Sequence, residues 1–130
     1  MRYPQVVVYE GDGRLAALLR PLTEERRWSL REPRQPEQVL RQLRRSDSAV
    51  LVLKLGRDLE RELTLLDRVA WLAPGAAAVV VGDGDQAALA GLAWDLGAGY
   101  VHFPPQPREL LVEVVAGLMG QPDATAAAAR

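Results

Sequence analysis

Any chemistry in this chain must come from a few groups at the ends of apolar runs. Glu10-Gly11-Asp12-Gly13 follows Val6-Val7-Val8-Tyr9 and places two carboxylates and two glycines within four residues. Carboxylates so placed can hold a hard cation such as magnesium, and glycines at a strand-to-helix turn let a backbone approach a phosphate. Lys54 ends the run Ala49-Val50-Leu51-Val52-Leu53 and is the only lysine among 16 basic residues. Its ammonium would occupy the space and charge a metal ion needs, so no metal site is expected and a salt bridge from Lys54 to Glu10 or Asp12 is. The alternative is a lysine that snorkels to solvent from the end of a strand.

The other polar groups read more plainly. Gly82-Asp83-Gly84-Asp85 lacks the lysine of a phosphate loop and reads as a turn with Asp85 as a helix N-cap. Cysteine is absent, which excludes disulfides, thiolate catalysis and sulfur-ligated zinc, and one histidine, His102, excludes a polyhistidine metal site. His102 reads as structural. No serine–histidine or paired-carboxylate arrangement stands out, so no enzymatic activity and no cofactor are expected. Arg26, Arg27, Arg31, Arg34, Arg41, Arg44 and Arg45 gather around Trp28, but the formal net charge is -1. That cluster reads as a solvated face, with no nucleic acid expected.

These groups must be positioned by elements that the apolar pattern makes legible. The chain has 130 residues, 48% hydrophobic and 25% charged, enough for one domain with a sizeable core. No apolar run approaches bilayer length, and a cytoplasmic location with no membrane partner is expected. Gln5–Glu10 is a short β-branched strand; Leu15, Leu18, Leu19 and Leu22 then recur at helical spacing, with Pro21 expected to end or kink the helix. Arg27–Arg31 alternates like an edge strand, and Val39, Leu40 and Leu43 follow Pro36 in a second helix. The run ending at Lys54 is apolar on both faces, as in the centre of a parallel sheet.

Asp58 is the expected N-cap of a third helix with Leu59, Leu63, Leu66, Ala70 and Ala73 inward. Ala76–Val81 is a fourth strand. A fourth helix runs to Leu96 with Gly97 as its C-cap, placing Leu89, Leu92, Ala93 and Leu96 inside and Ala87, Ala90, Gly91 and Trp94 outside. Tyr100–Phe103 is the fifth strand, and Pro107 opens a last helix carrying Leu110, Leu111, Val114, Val115 and Leu118. Five strands alternating with five helices imply an α/β, flavodoxin-like, doubly wound parallel sheet in the order 2-1-3-4-5, with helices on both faces. In that order Glu10, Gly11, Asp12 and Lys54 share one mouth of the sheet.

The pattern resembles the receiver domain of two-component response regulators over residues 1–120, leaving 121–130 as an alanine-rich tail expected to fray. The local likeness is greatest in Ala93-Trp94-Asp95-Leu96-Gly97-Ala98-Gly99-Tyr100-Val101-His102-Phe103-Pro104, which is similar to the family's run of alanine, glycine-alanine, switch aromatic and lysine-proline. The resemblance implies two metal-binding acids after the first strand, a phosphoacceptor aspartate after the third, a hydroxyl residue after the fourth and a lysine after the fifth. Glu10 matches the first acid, but Gly11 stands at the second, Lys54 or Leu53 at the aspartate, Gly82 at the hydroxyl residue and Phe103 at the lysine. Tyr100 matches the switch aromatic. The implication is a pseudo-receiver, a signalling or interaction module not phosphorylated on aspartate.

Two further readings belong beside it. Gly11-x-Gly13-x-x-Ala16 fits a dinucleotide fingerprint, with Glu32 as a ribose-binding candidate, so the alternative is a small Rossmann-like nucleotide-binding domain. Trp94 in a field of alanine and glycine suggests a partner surface with Ala90 and Tyr100, the alternative being a ring that folds back over neighbouring side chains. The receiver resemblance implies that this surface, on the fourth helix, fifth strand and fifth helix, meets another protein or a second copy in a homodimer.

Overall fold

In the computed structural model, which describes residues 4–45, 48–84 and 87–120, strands and helices alternate. They are β1 (Gln5–Tyr9), α1 (Arg14–Arg26), β2 (Ser29–Arg31), α2 (Pro36–Arg44), β3 (Ala49–Lys54), α3 (Leu59–Leu72), β4 (Ala77–Val81), α4 (Ala87–Asp95), β5 (Tyr100–His102) and α5 (Leu110–Met119). The strands form one parallel sheet in the order β2-β1-β3-β4-β5, as expected. The pairing of Tyr9 with Leu53 and of Lys54 with Val81 brings the C-terminal ends of three strands to one edge.

Two cores follow from the strand period of two. Val6, Val8, Val50, Val52, Val79 and Val81 pack with Leu15, Leu19, Leu111 and Val115 of α1 and α5. On the other face Val7, Leu51, Leu53 and Val80 meet Val39 and Leu43 of α2 and Leu65, Leu66 and Val69 of α3. Each fully buried valine or leucine contributes about 1.5–3 kcal/mol of transfer free energy, so β1, β3 and β4 hold the domain from both sides. Among the described residues no helix is long and apolar enough to cross a membrane.

Local signals set most boundaries. Asp58 caps α3 by accepting from the Arg61 N–H at 3.3 Å. Gly97, at φ 111°, ends α4 in a Schellman arrangement, with Ala98 N–H donating to Ala93 O and Gly97 N–H to Trp94 O. The proposed Asp85 cap and the tail at 121–130 lie outside the described residues.

Four expectations need correction. Pro21 does not end the first helix; α1 continues to Arg26. Leu15, Ala16 and Leu19 before it and Leu22 and Thr23 after it share one buried face, and that burial offsets the roughly 3 kcal/mol cost of an interior proline. β2 starts at Ser29 because Arg27 instead closes α1 at φ 60°, with Trp28 N–H donating to Thr23 O at 2.8 Å. In α3 the buried stripe is Glu62, Leu65, Leu66 and Val69, while Leu59 and Ala70 are exposed. Glu62 can be buried because its carboxylate accepts from Gly56 N–H at 2.9 Å and Asp58 N–H at 3.2 Å.

The fourth correction concerns α4. Ala93 is fully buried and Leu89, Ala90 and Leu96 pack against the core, while Leu92 is 42% and Trp94 51% exposed. Ala90 therefore leaves the expected outer surface and Leu92 joins it. A helix of alanine and leucine has little polarity contrast between its sides, so packing chooses the inner one.

Candidate functional site

The mouth at the C-terminal ends of β1, β3 and β4 is built from charges that pair across strands. Lys54, the last residue of β3, has a mostly buried side chain, and its Nζ lies 2.9 Å from Asp83 Oδ2. Asp83 Oδ1 in turn accepts from Arg108 Nη2 at 2.6 Å. One carboxylate thus ties the end of β3 to the turn leading into α5. Asp83 is 70% exposed, and the hydrogen bond from Lys54 holds its carboxyl below the usual range. Leu53, one residue earlier, is fully buried in the core, and Lys54 lies at the mouth.

The expected partners of Lys54 are engaged elsewhere. Glu10 Oε1 accepts from Leu15 N–H and Oε2 from Ala16 N–H, each at 2.9 Å. Its carboxylate closes the N-terminus of α1, where Gly13 as N-cap has no side chain to do so, and it meets the positive end of the helix dipole. Asp12 accepts from Arg14 N–H at 3.1 Å, a bond that lowers its carboxyl below the ordinary value. Its oxygen also lies 3.7 Å from Arg14 Nε in an exposed pair. Lys54 adds only a weaker field at Asp12. The salt bridge from Lys54 to Glu10 or Asp12 is thus replaced by one to Asp83, because β3 has β4 as well as β1 for a neighbour.

Gly11 and Gly82 each lie beneath a larger side chain. A Cβ at Gly11 would collide with the Arg57 guanidinium, which covers the mouth from the loop after β3. A Cβ at Gly82 would strike the Phe103 ring, which is 8% exposed and packs in the α3-side core. Phe103 and Gly82 therefore occupy one volume between them: the ring fills what a side chain at position 82 would take.

Around β5 the expected surface residues separate. Tyr100 packs with the α1 and α5 core, and its hydroxyl accepts from Gln106 Nε2 at 3.2 Å. Trp94 stands on α4, against the opposite face of the sheet. His102 is fully buried, and neither ring nitrogen makes a well-formed hydrogen bond among the described residues. Burial, reinforced by Arg108, pushes its pKa down, so the ring is held neutral.

Sequence reasoning missed Asp83, Arg108 and Arg57. The order 2-1-3-4-5 contained a usable signal for Asp83, since it makes β4 the second neighbour of β3 and sets Asp83 two residues beyond Lys54's register partner Val81. Arg108 and Arg57 had no comparable local signature.

The dinucleotide reading finds no support in this geometry. The helix N–H groups that would meet a pyrophosphate are taken by Glu10, and Glu32 pairs with Arg20 at 3.2 Å.

No protein-family model matches the sequence, and a search of curated proteins finds no significant relative. Solved structures do resemble it. A CheY-like response regulator receiver domain from Methanospirillum hungatei superposes with a TM-score of 0.76 at 11% identity, covering 95% of this chain and 98% of that one. A response regulator from Thermotoga maritima gives 0.73 at 18% identity over 91% and 98%. A response regulator from Burkholderia pseudomallei, solved with a phosphorylated aspartic acid and a calcium ion, gives 0.70 at 18% identity over 98% and 75%. The chain shares the CheY-like fold of these proteins.

Proposed function

We propose that this chain is a pseudo-receiver: a signalling module that acts by binding a protein partner or a second copy of itself, without phosphorylation on aspartate. The observation that carries this reading is the ion pair of Lys54 with Asp83 at the end of β3, where the receiver resemblance expects the phosphoacceptor. A lysine cannot form an acyl phosphate, and its ammonium supplies positive charge at the mouth continuously. In a receiver, metal and phosphoryl charges arrive there only on activation.

The neighbouring substitutions support the same reading. Glu10, matched to the first metal-binding acid, is committed to two backbone N–H groups, and the second acid position is Gly11 under Arg57. The hydroxyl and lysine positions are Gly82 and Phe103, packed on each other. The binding surface we assign lies on α4, β5 and α5, with Trp94 exposed on α4 and Tyr100 on the edge strand itself.

Intact-mass measurement after incubation with acetyl phosphate and magnesium tests the chemical half of this reading. The expected result is an unchanged mass. One stoichiometric phosphoryl group, lost in mild base, would overturn it.

A further inference from the structure

Away from the mouth, a groove runs between α2 and α3 on the side of the molecule opposite α1 and α5. Leu40, Arg41, Arg44, Arg45, Arg68 and Leu72 line its central stretch. A neighbouring hollow toward the start of α3 is lined by Pro36 and Thr64 with Glu37, Asp58 and Glu60, so the basic character is confined to the central stretch, and another lies toward the foot of the sheet by Leu43 and Ala73. None of the four arginines has an ion pair or side-chain hydrogen bond among the described residues. Elsewhere among the described residues Arg14, Arg20, Arg61 and Arg108 each have a carboxylate partner, while Arg27, Arg31, Arg34 and Arg57 have none. Glu37 is the one acidic residue lining that central stretch, so four positive charges face one negative in a chain whose net charge is -1.

The groove is also apolar at its floor. Leu40 is buried, but Leu72 is 47% exposed, and Trp71 beside it is 80% exposed. Arg68 and Leu72 are four residues apart on α3 and so share a face. A planar guanidinium binds carboxylates in a bidentate way, and a half-exposed leucine between such groups offers an apolar anchor point.

We propose that this groove docks an acidic segment of a partner protein, one carrying apolar residues between its glutamates or aspartates. Carboxylates pair with Arg41, Arg44, Arg45 and Arg68 while an apolar side chain covers Leu72. A phosphate backbone would use the arginines and leave Leu72 wet, and for that reason a peptide is the occupant favoured over a nucleic acid. This surface is separate from the one on α4, β5 and α5, and neither depends on the other.

The test uses the full chain and three fluorescent probes: a short peptide alternating glutamate and leucine, polyglutamate, and a single-stranded oligonucleotide of equal charge. Anisotropy should show the glutamate–leucine peptide binding most tightly, with affinity falling as salt is raised. Arg44→Glu with Arg68→Glu should weaken it about tenfold or more, Leu72→Ala should weaken it independently, and Trp94→Glu should leave it unchanged. Should the first pair of substitutions unfold the chain, Arg41→Glu with Arg45→Glu makes the same comparison. Absence of peptide binding at low salt, binding indifferent to charge reversal, or tighter binding of the oligonucleotide would each overturn the proposal.

Discussion

Among the described residues, the ammonium of Lys54 has one carboxylate within ion-pair reach, and that carboxylate is shared with Arg108. Because Asp83 is largely exposed, water and salt screen the pair, and a coupling of about 0.5–1 kcal/mol is expected in a double-mutant cycle of Lys54→Met with Asp83→Asn. Denaturant melts read it directly; additive effects would show that the two groups are merely adjacent. The folded-state pKa of Asp83 is depressed, so this contribution is present above the unfolded value of about 4 and disappears as pH falls through the folded one. His102 gives a dependence of the same sign in a different window. Its folded pKa is also lowered, but it is a base: below about pH 6.5 the unfolded chain takes up a proton that the buried ring resists. Wild type should therefore lose stability as pH falls below about 6.5, and His102→Leu should flatten that slope. Equal slopes in the two proteins would mean that the ring is protonated as readily in the fold as outside it.

Helix ends carry the prediction at the next scale up. α4 closes through a glycine at positive φ, whereas α1 closes in the same way through Arg27 at φ 60°. A side chain in that conformation costs about 1–2 kcal/mol, part of which glycine returns as unfolded-state entropy. Arg27→Gly should accordingly raise stability by about 0.5–1 kcal/mol, measured as a higher denaturant midpoint at constant slope. A fall would show that the Arg27 side chain contributes more than its backbone strain costs. The corrections to α3 and α4 also belong to this scale. In both helices the inner face was shifted by about one residue from the most hydrophobic stripe, by a satisfied carboxylate in one case and by small residues in the other.

For the whole molecule, the question is whether the edge at α4, β5 and α5 meets a partner. Trp94 and Leu92 are exposed on α4 within an alanine-rich surface, and aromatic side chains of this kind commonly anchor interfaces. If the partner is a second copy, sedimentation at high concentration should show a dimer that Trp94→Glu converts to monomer. A monomeric wild type, with no partner binding altered by the substitution, would remove this surface from the proposal.

What the sequence determined by itself was the architecture. Strand runs apolar on both faces, helices at a regular spacing and the Gly97 and Asp58 caps are local signals, each read from a few neighbouring residues, and together they point to a doubly wound parallel sheet. They also identified Lys54 as the unusual group at the mouth. Only the tertiary structure decided which carboxylate Lys54 meets, that Glu10 serves α1, that Phe103 fills the space above Gly82, and which sides of α3 and α4 face inward. Those outcomes depend on contacts between residues far apart in the chain: Lys54 and Asp83 are brought together by sheet register, and Asp83 and Arg108 by the packing of α5. A periodic pattern specifies that a side chain lies at an edge or on a face, but competing partners at that edge are separated only by distances of a few ångströms that folding sets.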